Sequence, residues 1–141
     1  MSRRPKDIGT WTETSVVLWL HDHGFPHAER RALYGSADRG DILVTAGLIF
    51  EVKGGKAAEA ASDDQIAAWL VEAEKERVNA GADLCPLILK RKGKGRVQAG
   101  SWWFIVPSGG WMRLPPPGIA LRMTLDEGLR WLRASGYGES L

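Results

Sequence analysis

Apolar residues recur at helical spacing between residues 12 and 23, where Val16, Val17 and Leu20 share one face. Thr10 or Thr12 is placed to cap this first helix, and Gly24 follows its end. SDDQ at 62–65 has the capping-box spacing, Ser62 with Gln65, and predicts a second helix. Ile66, Trp69, Leu70 and Ala73 form its apolar stripe, and Gly81 closes it. TLDE at 124–127 repeats the box and opens a last helix over roughly 125–134, ended by Gly136. Between these segments, residues 28–34, 41–45, 48–53, 84–90 and 101–106 read as strands. Pro86 predicts an edge or bulge position in its strand. GSADRG at 35–40 is a polar loop, and LPPPG at 114–118 an extended connector. The order α-β-β-β-α-β-β-α predicts an α/β fold, a mixed central β-sheet flanked by helices.

The length, 141 residues, suits one domain, with 44% hydrophobic and 26% charged residues to build a packed soluble core. No apolar run approaches the roughly 20 residues of a membrane span, and MSRRPKDIG lacks a signal peptide's apolar stretch. A single cysteine, Cys85, excludes an internal disulfide and fits a reducing cytoplasm. In the apolar run LCPLIL it reads as a small buried hydrophobe rather than a nucleophile. The net charge is only +2, but it is unevenly spread. KRKGKGR at 90–96 carries five cations and no anion, and Arg3, Arg4 and Lys6 add three at the start. EAEKER at 72–77 alternates in sign like a solvated helix face. Local positive charge of this kind suits phosphate contacts. A solubilising loop is an equally good reading of 90–96 alone.

The segment GDILVTAGLIFEVKGG, residues 40–55, puts chemistry into a hairpin. A two-residue turn at Ala46-Gly47 would pair Ile42 with Glu51 and send Asp41 to the other face. A three-residue turn, Thr45-Ala46-Gly47, pairs Val44 with Leu48, Leu43 with Ile49 and Asp41 with Glu51, leaving Lys53 on the carboxylates' face. Two adjacent carboxylates repel unless a cation lies between them. Oxygen donors in such a cluster suit Mg²⁺, which keeps several waters and accepts phosphate oxygens. The Val52 carbonyl, between Glu51 and Lys53, is a candidate third donor. Glu13 precedes Val16, Val17 and Leu20 by three, four and seven positions, so it projects toward the core and the same face. Phosphodiester hydrolysis needs such a grouping: a metal to polarise the phosphoryl oxygen and lower the pKa of water, and a cation such as Lys53 to stabilise developing charge. The alternatives are a surface hairpin with a cross-strand salt bridge, and a Glu13 that merely favours a helix N-terminus.

With these residues assembled, the chain resembles the PD-(D/E)xK nuclease superfamily, most closely the archaeal-type Holliday-junction resolvases and their phage relatives. The resemblance spans roughly residues 7–106, leaving 107–141 as a C-terminal extension. It is carried by GTWTE at 9–13, HGF at 23–25, RRALYGSADRGDILV at 30–44 and IFEVKGG at 49–55. Gly40 stands where the family often has proline before the metal-binding Asp. The resemblance implies a restriction-endonuclease-like core and catalytic roles for Glu13, Asp41, Glu51 and Lys53. It implies metal contacts from Asp41, Glu51, Val52 and Glu13, with Mg²⁺ as cofactor and Mn²⁺ as a substitute. Ser36 would position the scissile phosphate and Arg31 would contact phosphate. Arg3, Arg4, Lys56, Lys92, Lys94 and Arg96 are further candidate DNA contacts. The implied activity is structure-selective cleavage of branched DNA, typically a four-way junction, by a homodimer in a bacterial, archaeal or phage-infected cell, with no membrane partner. Rival readings are a repair, restriction or fork/flap nuclease, and a DNA-binding protein that keeps the fold without catalysis.

His21, His23 and His27 lack further ligands at zinc-like spacing and read as decoration of a helix end. Trp102 and Trp103 are a candidate stacking surface for unpaired bases, with at least one expected in the core. Trp111 and Met112 are a weaker candidate for a partner interface. Gln65 is explained by capping, although some nucleases of the superfamily place a glutamine near the site from there.

Overall fold

The computed structural model describes residues 5–31, 41–107 and 119–141. In chain order the elements are α1 (Pro5–Asp22), β1 (Glu29–Arg30), β2 (Ile42–Thr45), β3 (Leu48–Lys53), α2 (Gly55–Glu59), α3 (Asp63–Ala80), β4 (Leu87–Leu89), a 3₁₀ helix (Arg96–Ser101), β5 (Trp103–Val106), β6 (Leu121–Thr124) and α4 (Leu125–Ala134). The six strands form one sheet in the order β1-β2-β3-β4-β5-β6. All neighbours are antiparallel except β3 and β4, which run parallel and are joined through α2 and α3. The predicted mixed α/β sheet flanked by helices is therefore what the chain forms.

Helices cover both faces, because the central strands are apolar on both sides. On one face Phe50, Val52, Ile88, Phe104 and Val106 pack with Val16, Val17 and Leu20 of α1 and Leu125, Leu129 and Leu132 of α4. On the other, Leu87, Leu89 and Ile105 meet Ile66, while Ile49 meets Ala73, both from α3. Phe50 and Phe104 pack edge to face at 5.9 Å between ring centres, joining β3 to β5 across β4. The last helix belongs to this same core: Leu125, Leu129 and Leu132 are fully buried. No helix among the described residues is long and apolar enough to cross a membrane.

The caps of the later helices form as expected. Ser62 accepts from the Gln65 backbone N–H at 3.1 Å, and Gly81 closes α3 with a left-handed backbone. Thr124 and Glu127 complete both halves of a capping box on α4. Several expectations are corrected. Helix α1 starts at Pro5, seven residues before the expected position, so Thr10 and Thr12 are interior; the Thr12 hydroxyl donates to the Ile8 carbonyl at 2.8 Å. Pro86 precedes a central strand, not an edge, and its carbonyl accepts from Glu51 N–H at 3.1 Å. The strand expected at 84–90 shortens to β4, with Leu84 left as an isolated bridge to Leu48, and that expected at 101–106 shortens to β5 because a 3₁₀ turn takes up 96–101. Helix α2 and strand β6 are additional. Glu76 is buried, so 72–77 is not a wholly solvated face. The loop 35–40, residues 32–34 of the first expected strand, the connector 114–118, Trp111 and Met112 lie outside the described residues.

Candidate functional site

The hairpin of β2 and β3 resolves the question of register. Thr45 pairs with Leu48 across a two-residue turn, and Gly47 adopts φ 79°, a backbone that glycine takes without strain. That turn alone would carry Asp41 to the wrong side. A one-residue shift between Leu43 and Thr45 restores Leu43 opposite Ile49 and Ile42 opposite Phe50. The expected Val44–Leu48 pair is thus replaced, while the pairing nearer the site is kept. The ladder then stops at Ile42, and Asp41 does not pair with Glu51 as a strand residue.

Asp41 meets β3 through its side chain instead. Its Oδ2 accepts from the backbone N–H of Val52 at 2.7 Å, taking the place of a strand carbonyl. Its own N–H donates to the Phe50 carbonyl at 3.0 Å, and its carbonyl accepts from Arg31 N–H at 2.9 Å. Glu51 N–H and the Lys53 carbonyl bond toward β4, through Pro86 and Lys90. Backbone groups alternate along a strand, so Val52 turns its N–H and carbonyl toward Asp41.

Glu13 approaches from α1. Its carboxyl is held at about 7, raised from 4.5 first by burial and then by the charge of Asp41, against a lowering by Arg30. Arg30 Nε lies 3.9 Å from Glu13 Oε1, and Arg30 also reaches Thr10 at 3.5 Å. Glycine at 54 permits this approach: a β-carbon there would collide with the Thr12 side chain, so α1 could not lie so close to the end of β3.

Glu51 and Lys53 point to the α3 face. Glu51 is 3% exposed, and its Oε2 is buried without a hydrogen-bond partner. Lys53 Nζ lies 3.9 Å from Glu51 Oε1 and 3.4 Å from Glu72 Oε2, and 5.7 Å from the ring centre of Trp69. The expectation that Glu13 projects to the same sheet face is corrected, because α1 packs on the Phe50/Val52 face. The four residues form two pairs, Glu13 with Asp41 and Glu51 with Lys53, linked through the Val52 peptide at the open end of β3. Arg30, Glu72 and Trp69 were not selected from sequence. Nothing in AERR separates Arg30 from Arg31, while Trp69 reads from its spacing as part of an apolar stripe and Glu72 as part of a solvated face.

The donor set suits a hard cation in one respect and limits it in another. A buried carboxylate oxygen without a donor is costly unless an ion or water satisfies it, and Glu51 Oε2 is such an atom. Among the described residues no three His, Cys, Asp or Glu side chains converge as a ligand group. Two carboxylates and a carbonyl match an ion that retains waters rather than one enclosed by protein.

The remaining candidates divide. Arg96 donates from Nε to Ser15 Oγ at 2.8 Å and lies over Trp11 at 5.3 Å, beside the Thr10 and Thr14 surface of α1. Lys92 and Lys56 are exposed, and Lys94 is half-buried with its carbonyl accepting from Trp102 Nε1 at 2.8 Å. Arg31 is half-buried beside the Asp41 carbonyl. Arg3, Arg4 and Ser36 lie outside the described residues. Trp102 is fully buried and Trp103 is not. His21 and His23 bond to the carbonyls of Ala28 and Trp19. Comparison with family models, characterised proteins and solved structures finds no match.

Proposed function

We propose that the chain is a Mg²⁺-dependent, structure-selective DNA endonuclease of the PD-(D/E)xK kind, with a four-way junction as its substrate and a homodimer as its working form. The observation that carries this reading is the buried, unpartnered Glu51 Oε2 one residue from the peptide that holds Asp41. Asp41, Glu51 and the Val52 carbonyl would hold the cation, with Glu13 completing the acidic environment from α1. Bound there, Mg²⁺ would polarise a phosphoryl oxygen and acidify an attacking water. Mn²⁺ would serve in its place.

The chain's own groups supply the rest. Lys53, steadied by Glu51 and Glu72, presents an ammonium to charge that develops on the phosphate. The Val52 N–H fixes the orientation of the Asp41 carboxylate. Glu13, held near 7 in the metal-free chain by burial and Asp41, would be drawn toward its ionised form by a cation bound beside it. Arg96 and the exposed lysines supply phosphate contacts that position DNA without reading its sequence.

The test is cleavage in Mg²⁺ of a synthetic four-way junction, a flap and a linear duplex. Junction cutting should dominate, and Asp41→Asn, Glu51→Gln and Lys53→Ala should each abolish it while junction binding survives. Equal cutting of all three DNAs reassigns the substrate to a repair or restriction role. Binding without cutting by the wild type leaves a non-catalytic DNA-binding protein.

A further inference from the structure

The basic run at 90–96 does not act as one loop. Lys90 pairs with Glu59 at 2.5 Å, and Arg96 turns away onto α1. Arg91 instead lies 4.2 Å from the ring centre of Trp103, anchored by donation to the Ser101 carbonyl at 3.3 Å. Arg122 of β6 joins it over the same ring at 5.4 Å. Glu59, Lys90, Arg91, Lys92, Trp103 and Arg122 line an open cavity of about 230 Å³. Four cations face one carboxylate, and none of Arg91, Lys92 or Arg122 is ion-paired to a carboxylate among the described residues. Cations gathered in this way repel one another unless an anion joins them. Contact with Trp103 restricts both guanidinium groups, which lowers the ordering cost of binding a phosphate.

The sheet sets the distance to the carboxylates. Lys53 pairs with Leu89, and Leu89 with Trp103, so Trp103 lies two strands from Lys53 at the same level. At about 4.8 Å per strand that is about 10 Å between the two backbones. The geometry points to a phosphodiester-binding subsite formed by Arg91, Lys92 and Arg122 around Trp103, which holds the DNA backbone close beside the reacting phosphate. The place of that DNA backbone rests on the nuclease reading; the anion chemistry of the cavity does not.

The experiment measures junction affinity of the full chain against salt concentration, in EDTA so that no cutting occurs. Arg91→Gln/Arg122→Gln should bind roughly tenfold more weakly at moderate salt, with a log–log salt slope shallower by about 2. Lys75→Gln, on the exposed side of α3, should match wild type. Arg91→Lys/Arg122→Lys should keep most of the slope, because charge carries it. An unchanged slope in the glutamine variant overturns the subsite, as does equal loss in the lysine variant, which would mean a packing role. Cutting by the wild type alongside an unchanged slope defeats the subsite alone. A reduced slope without any cutting defeats the nuclease reading alone.

Discussion

Glu13 illustrates how a single residue couples stability to the site. Its carboxyl titrates at about 7 in the folded chain rather than 4.5. The folded state therefore keeps a proton that the unfolded state has released between those values. Stability falls as pH rises through this window, and the loss is complete above the folded value. The penalty is about 1–2 kcal/mol once residual solvent contact is allowed for. Glu13→Gln should equal wild type near pH 4 and exceed it in denaturant midpoint at pH 8. Parallel pH profiles for the two proteins would contradict this. The inward position of Glu13 was readable from its spacing to Val16, Val17 and Leu20. Its pairing with Arg30 was not, since two adjacent arginines leave the facing one undecided until strand β1 is placed.

At the scale of elements, two small devices locate the carboxylates. One is the register shift between Leu43 and Thr45, which reconciles a two-residue turn with the Leu43–Ile49 pairing. The other is Gly54, whose backbone, at φ −129°, any residue could adopt. The need for glycine there is steric, set by Thr12. Gly54→Ala should push α1 from β3 and cost about 1–3 kcal/mol, read as a lower denaturant midpoint; an unchanged midpoint would show that the contact gives way freely. Elements with side-chain caps, α3 and α4, were legible in the sequence because Ser62, Thr124 and Glu127 announce their first turns. Helix α1 was read short because PKDIG gives no such signal. Helix α2 is too brief to show a period, and β6 carries exposed Leu121 and Arg122 where alternation would have marked it.

Over the whole molecule, the arrangement separates charge by function. Acidic groups gather where β2 begins beside the end of β3, while cations collect past the end of β4 and on β6. Both regions open from one sheet, whose buried core includes residues from α1 to α4. The likeness read from D…EVK with Glu13 rests on chemistry alone, because it was the tertiary packing, and not the spacing, that decided which sheet face each group takes. The direct measurement of the central claim is calorimetric titration of Mn²⁺ at pH 8 into wild type, Asp41→Asn and Glu51→Gln, with folding of each verified by circular dichroism. One binding site in wild type, lost in both variants, is the predicted result. Equal binding in all three proteins, or no binding in wild type, would contradict a cation held by these carboxylates.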